Sequence, residues 1–484
     1  MAVIITYQRS PTLITVSALY LHLITLHEVS PPGLPMAKTL IDEVRSGSIP
    51  DEIVIVAKEE GVDPRKLAKL VAEGRAIVPR NVRRTGKVRP IGIGEGLRTK
   101  VNVNIGTSGT VIDVEMEKAK ARIAVEYGSD TIMDLSTGGD LDEIRRVLME
   151  VSQPLPFGTV PTYQAWIEGV RKYGGLSMPS DWFLKIVERH LRDGVDFMTI
   201  HAAITKDLAK RVVKSSRVAP IVSRGGAMLA AWMLENDEEN PYLKHWDYLL
   251  ELFAEYDAVI SLGDALRPGA LADAHDEFQI AELVNNARLA RQAIARGVQV
   301  MIEGPGHMPL DKVVVDVKLM KSLSGGVPYY VLGPLVTDAA LGYDHIAAAI
   351  GAAIAAAAGA DLICYLTPAE HLSLPTPEDV KEGLIASKIA AHAGDIVKLG
   401  PRAARKDVEI SISRAKLDWE KQIAYAPDPE KARRMYERFR QQIASCTMCG
   451  QYCVFLVLEK YLRERGELSV DDVLKRFASC SGLP

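Results

Sequence analysis

The sequence predicts an α/β fold, and a (β/α)8 barrel with a small N-terminal region and a helical C-terminal segment fits it best. Three observations carry that reading. Compact apolar runs recur along the middle of the chain, each closing on polar residues or glycine. Amphipathic helical stretches separate most of them, the alternation expected of parallel βα units. No glycine-rich phosphate loop follows an early strand, which an open doubly wound sheet would want; Gly92-Ile93-Gly94-Glu95-Gly96 comes before the first run.

Residues 1–35 differ from the rest. Pro11 to Thr25 is apolar and carries no acidic or basic residue, and Pro31-Pro32-Gly33 follows. The stretch is too short for a spanning helix. Met36 is the expected start of the functional chain, with residues 1–35 an upstream extension. Residues 36–98 form an N-terminal region with helices over Ile53–Lys58 and Pro64–Glu73, interrupted at Pro79-Arg80-Asn81.

The barrel is expected over residues 99–397. Its candidate strands are Val101–Gly106, Asp130–Leu135, Pro156–Pro161, Asp196–His201, Ala219–Arg224, Ala258–Asp264, Val298–Gly304, Tyr329–Pro334 and Asp361–Thr367. Nine candidates compete for eight places, so one is peripheral. Helices are expected at Leu141–Val151, Ser180–Arg192 and Glu277–Arg296, with a buried alanine-rich helix at Ala347–Ala358. Residues 398–484 read as helical and charged, with helices Asp407–Trp419, Asp428–Ile443 and Val454–Arg465 and a tail containing Cys480.

The chain has 484 residues, 58 basic and 62 acidic, with a net charge of −4. No basic face is announced, so neither nucleic acid nor membrane is an expected partner. Few cysteines, mostly clustered, suit a reducing cytoplasm.

Three of the five cysteines fall in Cys446-Thr447-Met448-Cys449-Gly450-Gln451-Tyr452-Cys453. Three thiolates can hold three irons of a [4Fe–4S] cube and leave the fourth open to a ligand. A zinc knuckle completed by a distant ligand is the other reading of the spacing.

A barrel puts its chemistry at the C-terminal ends of its strands. Those ends carry or approach Asn104, Met133, Tyr163, His201, Arg224, Asp264, Glu303 and His307. His307, in Glu303-Gly304-Pro305-Gly306-His307, and His371, in Thr367-Pro368-Ala369-Glu370-His371, suit an open two-imidazole metal site. The blander reading is two histidines satisfied by backbone in tight turns. Ser223-Arg224-Gly225-Gly226 offers backbone N–H groups at a helix start and a guanidinium, an anion site. Asp264-Ala265-Leu266-Arg267 repeats that logic. Each alone is also an ordinary turn; together on one face they favour a phosphorylated substrate.

At this point the residues match a family. Asn102-Val103-Asn104-Ile105-Gly106, Met133-Asp134-Leu135-Ser136-Thr137-Gly138, Gly158-Thr159-Val160-Pro161-Thr162-Tyr163-Gln164-Ala165, Ser223-Arg224-Gly225-Gly226, Glu303-Gly304-Pro305-Gly306-His307, Leu332-Gly333-Pro334-Leu335, Gly342-Tyr343-Asp344-His345 and the cysteine run resemble the radical S-adenosylmethionine family of phosphomethylpyrimidine synthases of thiamine biosynthesis. The resemblance runs from about residue 75 to 455. It implies a lyase that converts 5-aminoimidazole ribonucleotide to 4-amino-5-hydroxymethyl-2-methylpyrimidine phosphate, with carbon monoxide and formate as co-products. It implies S-adenosyl-L-methionine, a [4Fe–4S] cluster on Cys446, Cys449 and Cys453, and zinc or another divalent metal on His307 and His371. Substrate contacts would fall on Asn104, Met133, Tyr163, His201, Ser223, Arg224, Gly225, Asp264, Ala265, Leu266, Arg267, Glu303 and Tyr330. A homodimer and an electron donor are also implied.

Two departures stand out. Three residues separate Cys449 from Cys453 where the family pattern has four, and Ala265 replaces the usual glycine. Rival readings are a 5-hydroxybenzimidazole synthase paralog, a hydrolytic or lyase barrel using only the two-histidine metal with the thiols on structural zinc, and a non-catalytic ribotide-binding paralog.

Overall fold

A computed structural model describes residues 38–439, 445–465 and 472. Residues 1–35, Cys480 and the end of the expected helix Asp428–Ile443 lie outside the described residues.

An N-terminal group of helices, Leu40–Arg45, Asp51–Glu60 and Pro64–Ala72, precedes a short antiparallel pair, β1 (Ala76–Ile77) and β2 (Ile93–Gly94). Thr39 starts the first helix with a reciprocal cap: its hydroxyl accepts the Asp42 N–H, and Asp42 accepts from the Thr39 backbone. Eight parallel strands then close into a barrel. They are β3 (Lys100–Ile105), β4 (Thr131–Asp134), β5 (Phe157–Thr159), β6 (Phe197–Ile200), β7 (Val259–Leu262), β8 (Val300–Gly304), β9 (Tyr329–Leu332) and β10 (Leu362–Cys364). The last pairs with the first, Leu362 opposite Lys100, which excludes the doubly wound sheet.

Alternation along the strands separates two cores. Met198, Ile200, Val300 and Ile302 face the outer helices, in the large helix–sheet core. Met133, Phe197, Val259, Met301, Tyr330 and Leu362 face inward, and Ile77, Ile91 and Ile93 join them there. Gly158 is small because Phe197 needs the space: a Cβ there would sit 2.3 Å from its ring. The N-terminal region therefore supplies the floor of the barrel, and Val78 is tied to Gln299 by backbone-to-amide bonds of 2.7 and 3.1 Å.

Ala219–Arg224 is not a strand. Pro220 lacks an N–H, and the N–H groups of Val218 and Ala219 go to the Asp273 carboxylate, not to a ladder. Val222 is solvent-exposed, which a strand covered on both faces forbids. The segment ends at Ser223, whose hydroxyl caps the helix Arg224–Asn236.

The C-terminal expectation also needs correction. Helices run over Pro377–Leu399, Pro401–Ala415, Trp419–Ala424 and Pro429–Glu437. The expected Asp407–Trp419 breaks because Leu417 takes φ +56° and Asp418 caps the following helix. Among the described residues no helix is long and apolar enough to cross a membrane.

Candidate active site

The strand ends β3 to β10 open on a cavity of about 90 Å3 that gathers Asn104, Met133, Tyr163, His201, Ser223, Asp264, Arg267, Glu303 and Tyr330. Asn104, Met133, His201, Glu303 and Tyr330 arrive by the alternation that points Phe197 and Met301 into the floor, whereas Tyr163 comes from the helix after β5 and Ser223, Asp264 and Arg267 from turns beyond the strand ends. His201 lies four residues after Phe197, and Glu303 two after Met301, so both stay on the inner face.

Arg267 Nη1 donates to Asp264 Oδ1 at 2.8 Å across three residues. Burial works against the Arg267 charge, yet the neighbouring Asp264 carboxylate holds the guanidinium more firmly protonated than usual. Glu303 Oε1 accepts from Thr199 Oγ1 and Ser261 Oγ, each at 2.7 Å. Burial pushes the Glu303 carboxyl up and Asp264 pushes it further, while the two hydroxyls oppose the rise. Burial raises Asp264 as well, with Arg267 opposing.

His201 is sandwiched between two glycines. A Cβ at Gly225 would lie 2.4 Å from its Cε1, and one at Gly263 would lie 2.6 Å from its Cδ2. Its Nε2 pairs with Ser223 Oγ at 3.1 Å, and its buried Nδ1 has no partner among the described residues. Burial and then the charge of Arg267 lower its pKa to about 3, so the ring is neutral at pH 7.

On the opposite wall Asn104 Nδ2 donates to the thiol of Cys364 at 3.0 Å, and Asn102 orients Asn104 at 2.8 Å. Burial pushes that thiol up to about 12, so it stays protonated. Tyr330 Oη approaches Met133 Sδ at 3.7 Å.

A second cavity of about 650 Å3 shares Asn104, Leu135 and Leu332 with the first. It is bordered by residues 105–111, by His371 to Pro375 and by Arg224, whose guanidinium lies 5.0 Å from the Tyr163 ring centroid. Gly225, Ala265 and Leu266 line neither cavity. Gly225 packs on His201, and Ala265 packs on Gly226. Ala265 is not among the residues with positive φ, so the replacement of glycine carries no backbone strain.

His307 and His371 are brought together, with ring centroids 5.3 Å apart. Nδ1 of His307 meets Asp338 at 2.8 Å, and Nδ1 of His371 meets Asp344 at 3.2 Å. Among the described residues neither Nε2 has a hydrogen-bond partner, the usual carboxylate–histidine–metal arrangement. The donor chemistry therefore fits a divalent metal with further sites open to other ligands.

Cys446, Cys449 and Cys453 are free thiols. Their segment is two tight turns, with Gly450 N–H on Cys446 O at 3.1 Å and Tyr452 N–H on Cys449 O at 3.0 Å, and Gly450 at φ +54°. Among the described residues no three His, Cys, Asp or Glu side chains are gathered as a metal site. Three thiols on one short segment are nonetheless the donor set that a cube with one open iron takes.

The profile of the Radical SAM ThiC family matches residues 39–460. This chain belongs to that family. A phosphomethylpyrimidine synthase of Ignicoccus hospitalis is 58% identical over 431 residues, covering 89% of this chain and 98% of that protein. One of Sulfolobus acidocaldarius is 58% identical over 430 residues, covering 88% and 100%. Among solved structures, a dihydropteroate synthase of Coxiella burnetii aligns at TM-score 0.32 and 13% identity, over 62% of this chain and 94% of that one; the likeness bears on no function. As a radical SAM enzyme, this ThiC-family chain uses S-adenosylmethionine and an iron–sulfur cluster.

Thr199, Ser261, Cys364, Asp338 and Asp344 were not anticipated from the sequence. For three of them a signal was present: Thr199, Ser261 and Cys364 are polar residues inside apolar strand runs, on the inward parity.

Proposed function

We propose that this enzyme is a phosphomethylpyrimidine synthase, converting 5-aminoimidazole ribonucleotide to 4-amino-5-hydroxymethyl-2-methylpyrimidine phosphate with release of carbon monoxide and formate. The observation that carries the reading is one cavity joining a cationic clamp, Arg267 on Asp264, to a neutral His201 and a proton-holding Glu303. The inner cavity, about 90 Å3, is too small for a whole ribotide, which therefore extends from it into the outer cavity.

In this reading Arg267 and Arg224 take negative charge on the ribotide, and Asp264 takes a ribose hydroxyl while fixing the Arg267 fork. His201 stays neutral and leaves Nδ1 to the substrate, as donor or acceptor according to the tautomer that Ser223 selects. Glu303, raised by burial and oriented by Thr199 and Ser261, holds a proton or gives it up as the substrate rearranges. Asn104, Met133, Tyr163 and Tyr330 form the walls. Ser223 holds His201, and Gly225, Ala265 and Leu266 shape the two turns behind it. The closed floor keeps reactive intermediates from water on that side.

Cys446, Cys449 and Cys453 would hold the cluster, and His307 with His371 would hold zinc or another divalent ion. When bound, the cluster and S-adenosylmethionine supply the one-electron chemistry that begins the rearrangement. The outer cavity, bordered by His371, is the proposed seat of S-adenosylmethionine. A homodimer, an external electron donor and a cytoplasmic setting complete the proposal.

Anaerobic reconstitution followed by product mass spectrometry tests it. The expected result is the phosphorylated pyrimidine together with 5′-deoxyadenosine. A hydroxybenzimidazole product, or no 5′-deoxyadenosine in reconstituted, reduced protein, overturns it.

A further inference from the structure

A third, small cavity lies behind the Asp264–Arg267 turn. It shares Asp264, Arg267 and Glu303 with the inner cavity and is closed at the back by Glu282 and Asn286. These two sit four residues apart on the helix Glu277–Ala295 and so share one face. Glu282 Oε2 accepts the Leu266 N–H at 2.6 Å, and Asn286 Nδ2 donates to the Gly263 carbonyl at 3.1 Å. Both bonds hold the segment that carries Asp264 and Arg267.

That leaves Glu282 Oε1 and Asn286 Oδ1, each buried and without a hydrogen-bond partner among the described residues. The side chains are 3% and 1% exposed, so bulk water does not reach them. Two buried acceptors facing one cavity require donors. The cavity, about 20 Å3, has room for one water.

Charge points the same way. The charged groups facing Glu282 are Asp264 and Arg267 on the turn, Glu303 on β8, and Arg217. Arg267 is engaged by Asp264, and Arg217 by Asp276 at 2.7 Å. Among the described residues Glu282 has no cation paired with it, and a buried carboxylate without one takes its acid form. Burial pushes its carboxyl well above the ordinary range and Asp264 pushes it further, outweighing the backbone N–H groups of Leu266 and Ala265 and the charge of Arg217.

We propose that Glu282 is an uncharged positioning residue: in its acid form, bridged to Asn286 by one buried water, it fixes the turn that presents Asp264 and Arg267 to the substrate. A charged carboxylate in this place would compete with Asp264 for Arg267 and repel an incoming phosphate. The acid form leaves the charge of Arg267 for the ribotide. The part concerning substrate rests on the ribotide reading above; the part concerning the proton and the water does not.

The test compares Glu282→Gln with Glu282→Ala in the full-length, reconstituted enzyme. Glutamine copies the acid form: one oxygen accepts from Leu266, and its NH2 donates toward Asn286. The expected result is that Glu282→Gln keeps KM for 5-aminoimidazole ribonucleotide within threefold. Glu282→Ala raises KM at least tenfold with kcat nearly unchanged. Infrared difference spectra (wild type minus Glu282→Gln) should show a carboxylic-acid band at pH 7, and a crystal structure should show a water between Glu282 and Asn286. A Glu282→Gln enzyme as impaired as Glu282→Ala, a carboxylate band in its place, or a dry cavity overturns the inference. Should Glu282→Ala fail to fold, the glutamine variant and the spectrum still decide. Arg267→Ala separates the two layers: if it binds the ribotide as tightly as wild type, the ribotide reading fails while the infrared result still judges the proton.

Discussion

At the floor of the barrel, three isoleucines from the N-terminal region fill the bore, and two buried cations there each meet a carboxylate. Arg84 meets Asp196, both buried, and Lys100 meets Glu60 at 3.0 Å. At the mouth, the same barrel carries charges left only partly answered. Arg267 is engaged by Asp264 and reaches Glu303 only through its field, and among the described residues the Nδ1 of His201 has no partner and two histidines hold their Nε2 atoms free. The two ends obey the same alternation of side chains. They differ in degree: at the floor each of these cations meets a carboxylate and Asp196 Oδ1 is left over, whereas the mouth leaves several groups for ligands, which is how stability and function occupy one fold.

The contrast can be broken most forcefully at the floor. Arg84→Ala strands the buried Asp196 and should cost about 3–5 kcal/mol of unfolding free energy by denaturant titration. The protein that remains folded should keep its affinity for the ribotide. At the mouth, Arg267→Ala should lower kcat/KM by about 2–4 kcal/mol, roughly 30- to 1,000-fold. Its unfolding midpoint should move far less than that of Arg84→Ala; an equal shift would mean that the mouth is structural after all.

A third experiment uses acid. His201 has a folded pKa near 3 against an ordinary 6.5, so it stays neutral when folded and takes a proton when unfolded. Unfolding then binds a proton as the pH falls from 6.5 toward 3, and stability drops through that window. Between pH 7 and 5 this residue should account for about 2 kcal/mol of lost stability. Denaturant curves for His201→Asn should lack that increment. The smallest effect is expected from Thr39→Ala, which removes the cap of the first helix: about 1 kcal/mol of stability and no change in turnover.

All eight barrel strands were legible because each is covered on both faces and so reads as an apolar run. The same rule produced the false strand at Ala219–Arg224, where apolar residues belong to a loop held by the Asp273 carboxylate. Nothing local to that segment announces a carboxylate 54 residues away. At the site, Asn104, His201, Asp264 and Glu303 were legible as polar residues closing apolar runs, and Arg267 as the guanidinium of the turn that follows Asp264. Thr199, Ser261 and Cys364 were hidden because small side chains inside a strand look like packing. Asp338 and Asp344 were hidden because an aspartate in a loop is unremarkable until the fold sets it against an imidazole.

The imidazole of His201 lies in a slot whose walls, Gly225 and Gly263, have no room for even one methyl group. Laboratory evolution aimed at new ribotide-like substrates should therefore leave both positions fixed. Diversity belongs instead at Met133, Tyr163 and Tyr330, where the lining is side chain rather than bare backbone.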